Sequence, residues 1–325
     1  MRSLGRDGGP WSLTARRLRR NRVALAFGAL FLVLVCACLA APLWASQVAH
    51  TTPEKNHLSD TIVIDGETTN VVSYLGTPIG PTWGGRFFLG ADSNGRDIMV
   101  RLLYGGRNSL MIGLAAAIGT TLIAMLLGLV AGYRRGWVDS AISRAMDVLW
   151  AFPAILLGVT LGTTLALGGL QVGPLTLEGD SLAIPIAIIS LVYVPYLARP
   201  VRGQVLALRE KEFVEAARAQ GMGPARIVLG EILPNVTSTL IIFFPLLVAN
   251  AILLEAALSF LGAGVQPPNP SWGTMIGEGV DRIVSAPHLA IVPGLMLVVT
   301  VLSLNVFAEG LRDALDPRAK VRIEH

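Results

Sequence analysis

An all-α polytopic membrane protein, with six transmembrane helices and an external loop domain between the first two, is the fold class the sequence predicts. Three observations lead there. Of the 325 residues, 53% are hydrophobic and only 15% charged, whereas a soluble domain carries about 25% charged residues. Six apolar runs approach or exceed the roughly 20 residues a helix needs to cross a bilayer: Val23–Ser46, Ser109–Tyr133, Ala141–Leu167, Ser181–Ala198, Val236–Gly262 and His288–Ala308. The basic residues are also unevenly shared. With both termini in the cytoplasm, 20 of the 26 Lys and Arg fall on the cytoplasmic side, as the positive-inside rule requires.

In chain order, residues 1–22 carry seven arginines and one aspartate. Leu13, Arg16, Arg17, Leu18 and Arg20 suggest a short cytoplasmic helix lying on anionic headgroups. The run 23–46 is too long for a signal-peptide core of about 7–15 residues, so it is expected to remain as a membrane anchor. Cys36 and Cys38, the two cysteines, share that run. They form no disulfide framework and make a poor metal site, and are read as small residues facing lipid or the bundle. Residues 47–108 form the external loop domain. In it, Thr61–Asp65 and Val71–Leu75 suggest a hairpin around Gly66-Glu67, and Gly76–Gly85 an irregular loop.

The core domain, residues 109–308, holds the remaining five spans. Gly113, Gly119, Gly128 and Gly132 of the second span are small enough for close helix packing. The third span begins with a polar turn bearing Arg144 and Asp147 and carries Pro153. A loop follows at Gly168–Asp180, then a fourth span with Pro185 and Pro195, and a further loop at Ala263–Pro287. Residues 309–325 are a charged cytoplasmic tail. Glu255 is the acidic side chain placed well inside a span, where a charge costs at least about 2.5–3.5 kcal/mol. It must therefore face the bundle, be neutral or have a partner, and reads equally as a functional group lining the interior of the bundle or as an interhelical hydrogen bond. Asn250 and Asn305 are similar polar interruptions.

The most informative stretch is EFVEAARAQGMGPARIVLGEILPN, within the polar segment 211–235. Its first part, rich in Ala, Glu and Arg, predicts a helix to Gln220, on which Phe213, Ala216, Ala217 and Gln220 share a face of mostly small residues. Gly221 and Gly223 supply a helix end, Pro224 fits the first turn of a second helix, and Pro234-Asn235 is expected to stop it. Glu215-Ala216-Ala217, with Gly221 and Pro234 at their spacings, resembles the EAA loop of permease subunits of bacterial ABC importers. In that family the loop is the coupling helix that docks into a separate ATPase subunit, which implies coupling roles for Glu212, Glu215, Ala216, Ala217, Gly221 and Pro234. Where the usual loop has Ile three residues before the proline, this chain has Glu231.

Other stretches resemble the oligopeptide/dipeptide branch of the same family: Leu89-Gly90-Ala91-Asp92 with Gly95-Arg96-Asp97 and Arg101 to Leu110; Gly136-Trp137-Val138-Asp139 with Phe152-Pro153; Glu255 to Gly262 with Pro270-Ser271-Trp272-Gly273; and Gly310-Leu311-Arg312-Asp313 with Leu315-Asp316-Pro317-Arg318. The resemblance runs from Leu89 to Arg318. It implies a type I permease fold and a C-type subunit importing peptides, nickel chelates, glutathione or oligosaccharides. Implied partners are a homologous permease, two ATPase subunits and a solute-binding protein, in a bacterial inner membrane. Arg96, Asp97, Arg101 and Arg107 could form an external collar, with Asp97–Arg101 as an i, i+4 pair. Asn250, Glu255 and Asn305 are the pathway candidates.

Some chemistry is absent from the sequence. It contains no G-x-x-x-x-G-K-[ST] phosphate loop, no G-x-S-x-G, and four histidines without an HExxH. The chain is therefore expected to be no enzyme and to hold no metal or cofactor, with ATP and Mg bound by the partner ATPases. A secondary transporter would instead show internal repeats and several intramembrane charges, and a membrane-embedded enzyme would need a second catalytic group beside Glu255 or Asp147.

Overall fold

The computed structural model describes residues 16–64, 66–172 and 175–315. Residues 1–15 of the basic segment, Asp65 of the expected hairpin, and Asp316, Pro317 and Arg318 of the tail motif lie outside the described residues.

Helix α1 (Arg22–Leu39) ends at Ala40, and a short α2 (Ala41–Trp44) and a π-helical turn (Ala45–Ala49) continue the run. The expected span to Ser46 is broken at Ala40 because Pro42 has no N–H to offer the turn before it. A hairpin follows, β1 (Thr61–Ile64) with β2 (Glu67–Asn70), Ile64 pairing with Glu67. The second strand thus precedes the expected Val71–Leu75. Val71 and Val72 owe their apolar character to burial, forming a small core with Ile79, Phe87 and Ala91.

Helix α3 (Ile98–Arg134) starts well before the expected Ser109, capped by Asp97, whose carboxylate accepts from the Val100 amide. The loop domain therefore ends at Asp97. At 37 residues, α3 is about 55 Å long, far more than the ~30 Å hydrocarbon core, and projects beyond it. The expected third span is two helices, α4 (Gly136–Ala151) and α5 (Ala154–Gly168), bent by 86°. Pro153 cannot continue α4, and it holds Phe152 extended, at φ −91° and ψ 136°. The following loop contains a second hairpin, β3 (Leu170–Val172) with β4 (Leu175–Leu177).

Helix α6 (Ala183–Leu208) outruns the expected Ala198 and contains Pro195 and Pro200. Then come α7 (Glu212–Ala219), α8 (Pro224–Ile227), a π-helical turn (Val228–Ile232) and α9 (Leu233–Phe260). The expected loop 263–287 holds a helix of its own, α10 (Trp272–Val280), begun by a capping box between Ser271 and Thr274. The last helix, α11 (His288–Leu315), runs past Ala308. Among the described residues, five helices are long and apolar enough to cross a membrane, and the bent α4–α5 pair makes a sixth.

The main core lies where α3, α6, α9 and the α7–α8 segment meet. The glycines of α3 bring the backbones together: a Cβ on Gly128 or Gly132 would lie 2.5–2.7 Å from the side chains of Val201 or Val205 on α6. Trp272 is wholly buried. Its indole N–H donates to the Leu102 carbonyl at 3.1 Å, and its ring, with Cys38, leaves no room for a Cβ on Gly106. Cys36 faces outward and Cys38 inward.

Candidate functional site

The two ends of α3 define the two ends of the bundle, and α7 stands at the end near Arg134. Lys211 precedes α7 in extended conformation, and Glu212 and Glu215 occupy its first turn, where carboxylates favour the positive end of the helix dipole. Val214 is fully buried and Ala217 is 4% exposed, both packed in the main core with Val205, Ile227 and Ile232. The open side carries Glu212, Phe213, Glu215, Ala216 and Ala219. This corrects the expectation that Ala216 and Ala217 face outward together, because a 100° step per residue turns Ala217 onto the bundle while Ala216 stays in the open.

Helix α7 ends in a Schellman motif. The Gly221 amide donates to the Arg218 carbonyl at 2.9 Å and the Met222 amide to the Ala217 carbonyl at 3.1 Å, with Gly221 at φ +78°. Pro234 does not stop the second helix as expected. Residues Pro224–Phe260 form one continuous helical run, in which the Leu233 amide reaches back five residues to the Val228 carbonyl. This wider turn makes room for the proline ring, which would otherwise strike the Gly230 carbonyl. Asn235 donates its side-chain amide to the Glu231 carbonyl at 2.7 Å.

Ion pairs brace this end. Arg202 makes a bidentate pair with Asp139 at 2.5 and 2.7 Å, joining α6 to α4. Arg135 meets Glu210 at 2.6 Å, and Arg209 donates to the Tyr133 carbonyl at 2.6 Å.

At the opposite end the collar is built differently from the expected one. Arg101 is 2% exposed and pairs with Asp92 and with Glu278 of α10, at 2.7 Å to the latter. Arg96 bridges the same two carboxylates at 2.7 and 2.8 Å. Asp97 is no partner of Arg101, since its carboxylate is spent on the amides of Val100 and Phe87, at 3.1 and 2.6 Å. Burial raises its pKa above the ordinary carboxylate value, against the pull of those amides. Arg107 is exposed, away from the cluster. The cluster borders a cleft of about 370 Å³, further lined by Met275 and Arg282. Glu278 was missed by sequence reasoning, though a buried Arg101 at a helix start needs a counter-ion from some other element.

The three pathway candidates are not brought together. Glu255 is fully buried on α9, accepting from the Ser259 hydroxyl at 2.7 Å, with Ser109 of α3 and Ser271 beside it. It borders no open surface of this chain. Asn250 is half-buried on the same helix, its carbonyl accepting from the Tyr193 hydroxyl at 3.2 Å, while Asn305 is exposed on α11.

The family described as the binding-protein-dependent transport system inner membrane component matches residues 124–321. The chain belongs to that family. Its first part, residues 9–59, matches the N-terminal transmembrane domain of oligopeptide transport permease C. Similar along nearly their whole length are the glutathione transport system permease protein GsiD of Pectobacterium atrosepticum, 37% identical over 96% of this chain and 92% of that protein, and the dipeptide transport system permease protein DppC of Alkalihalophilus pseudofirmus, 36% identical over 96% and 91%. Inward-facing structures of the MetNI methionine ABC transporter share the fold, with a TM-score of 0.53 at 20% identity over 67% of this chain and 98% of that one. The protein is thus a multi-pass permease subunit of an ABC importer, with the type I permease fold.

Proposed function

We propose that this permease works with a homologous partner permease, two ATPase subunits and a solute-binding protein, and that it moves short peptides or peptide-like solutes such as glutathione into the cell. The observation that carries the reading is α7, an eight-residue helix anchored by Val214 and Ala217 and offering an open face of Glu212, Phe213, Glu215 and Ala216. An open face on a helix anchored in the core is what docking on another subunit requires. The solute class rests on the dipeptide and glutathione permeases that resemble the chain over nearly its full length.

The end bearing α7 faces the cytoplasm in this reading, with both termini. It carries Arg134, Arg135, Arg202, Arg209 and Lys211, the basic excess expected inside. The loop domain and the Arg101–Glu278 cluster then face outward, where a solute-binding protein arrives. ATP and Mg belong to the ATPases, whose closure would drive α7 and tilt the spans it is joined to.

Co-expression with the ATPase subunits, followed by purification through this chain, tests the assembly. The expected result is a complex whose ATP hydrolysis responds to solute and binding protein in proteoliposomes, and a permease that purifies without ATPases would overturn it. Orientation is tested by cysteine labelling with an impermeant maleimide on intact cells. Thr69→Cys should react and Ala219→Cys should not, and the reverse pattern would invert the topology.

A further inference from the structure

Most of the surface that the spans leave open is aliphatic, as a lipid-facing surface should be. Helix α1 presents Leu32, Val33 and Leu39, and α3 presents Leu114, Ile118, Leu122 and Leu126. The seam between α6 and α9 is different. Tyr193, Tyr196, Arg199 and Gln204 share one open face of α6, opposite Asn235, Thr239, Phe243 and Asn250 of α9, and none of the eight is buried. They touch in sequence along the seam. Gln204 donates to the Asn235 carbonyl at 3.0 Å and accepts from the Thr239 hydroxyl at 2.5 Å. The rings of Tyr196 and Phe243 meet edge to face at 5.9 Å, those of Tyr193 and Tyr196 at 6.3 Å, and Tyr193 reaches the Asn250 carbonyl. From Asn235 to Asn250 the seam runs about 22 Å along the helix, most of the depth of a bilayer.

The 86° bend between α4 and α5 brings a third element to the seam. Trp150, at the end of α4, stacks nearly parallel on Tyr196 at 6.4 Å and is 47% exposed. The Arg199 guanidinium lies over the Trp150 ring at 5.2 Å and pairs with Asp147 at 2.9 Å, the two side chains remaining 43% and 57% exposed. Pro200 and Pro245, inside α6 and α9, remove the amides that would ordinarily satisfy the carbonyls of Tyr196 and Ile241. Half-exposed charges and freed carbonyls on spanning helices are costly against hydrocarbon. A face that carries them belongs against water or a polar occupant.

We propose that this seam is the solute track of the permease, and that its occupant is a short zwitterionic peptide. The proposal rests on the importer reading above and deepens it. Arg199 takes the peptide carboxylate; Asp147 and the Trp150 face take its ammonium; Tyr193, Tyr196, Phe243 and Asn250 meet its amides and side chains. Because Arg199 and Asp147 already pair with one another, a passing zwitterion must break that pair and shed the hydration of its own two charges, and the two half-exposed contacts it makes in return leave little net gain. A conducting site needs that weak hold, so that solute both enters and leaves.

The test uses the whole complex with its ATPases in proteoliposomes, in a Cys36→Ala/Cys38→Ala background. Tyr196→Cys, Phe243→Cys and Asn250→Cys are compared with Leu122→Cys on the aliphatic surface. The probe is a charged methanethiosulfonate present on both sides. The seam cysteines should react at least about tenfold faster than Leu122→Cys, which faces the hydrocarbon that charged reagents avoid. Millimolar dialanine should slow the reaction, and Arg199→Gln combined with Asp147→Asn should abolish that protection. Asn250→Cys stands in if Tyr196→Cys does not assemble, since its loss removes no ring from the stack. Seam cysteines as slow as Leu122→Cys would mean a lipid or partner-helix contact and would overturn the track. Fast reaction without dialanine protection would overturn the occupant. A complex that never retains its ATPases would count instead against the importer reading itself.

Discussion

Neighbouring alanines on α7 should respond oppositely to the same substitution. Ala216 is exposed, and Ala217 is 4% exposed in the main core beside Val205 and Ile227. Leucine adds three carbons. At Ala216 those carbons meet solvent in the free permease, so its stability should stay within about 0.5 kcal/mol of wild type. Against a fitted ATPase groove they overpack the contact, at about 1–3 kcal/mol, which is roughly a 5- to 150-fold loss of affinity. At Ala217 the same 1–3 kcal/mol falls on the fold itself, since α7 must lift off α8 and the π-helical turn to admit the side chain. The assay pairs thermal unfolding of the purified permease with ATPase retention on a column of immobilised permease. Ala216→Leu should unfold like wild type and lose ATPase; Ala217→Leu should unfold at lower temperature. If Ala216→Leu retains ATPase fully and supports solute-stimulated hydrolysis, α7 is not the coupling element and the argument built on its open face fails.

Three further outcomes follow from the geometry. Arg101→Met should destabilise the permease by about 1–3 kcal/mol, the loss of charge-assisted hydrogen bonds to Asp92 and Glu278 that Arg96 still bridges, whereas Glu278→Gln should cost less because Asp92 still faces Arg101; denaturation in detergent separates them. Glu255→Gln should melt close to wild type and Glu255→Leu lower, by about 1–3 kcal/mol for the unmet Ser259 hydroxyl, with uptake per folded complex unchanged in both; a loss of uptake by well-folded Glu255→Gln would return this residue to the path. The loop domain should loosen on acidification. Burial first, and then the Arg86 guanidinium, depress the His57 value below 6.5, so its neutral form is the folded one and its contribution is full above about 6.5 and lost as pH falls through the lower folded value. Asp60, held below the ordinary 3.8 chiefly by its hydrogen bond from Arg86, adds a second loss of the same sign only in stronger acid, and hydrogen exchange across residues 51–60 should show the first step in wild type and not in His57→Gln.

Spans and family were legible in the sequence because each rests on local pattern: apolar length for the spans, and the EAA spacing with its glycine and proline for the family. What sequence reasoning missed depends on partners far along the chain or on small departures from helical geometry. Pro234 read as a stop because proline breaks an α-helix, yet one π-turn with a glycine at position 230 absorbs it. Asp97–Arg101 read as a pair because the spacing fits a helix, but Asp97 is the cap and lies just outside it. The true counter-ion, Glu278, is on α10, inside the expected loop 263–287, although Ser271 and Thr274 carry its capping box. Pro153 lies inside the expected third span, and the bend it causes is what brings Trp150 to Tyr196.

Continuity through Pro234 matters for how a push on α7 could reach the other side of the membrane. A helix that stopped there would leave α7 and α8 on a hinge, and their displacement would be absorbed in the loop. Instead the chain passes from the Schellman turn at Gly221 into one helical run from Pro224 to Phe260, about 55 Å long. At its far end Glu255 and Ser259 lie beside Ser109 of α3 and Ser271, the residue that caps α10. Helix α10 in turn carries Glu278, held by Arg96 and Arg101. In the proposed assembly α7 meets the ATPase, and its Val214 and Ala217 pack on Ile227 and Ile232, at the base of the rod whose tip is fastened to the outer ion cluster. A tilt of that rod must either carry the Ser109–Glu255–Ser271 contact with it or break it. Arg101 can keep one carboxylate, Asp92, on the loop domain while releasing the other on α10, so the outer cluster has a way to yield without leaving its buried charge unpaired.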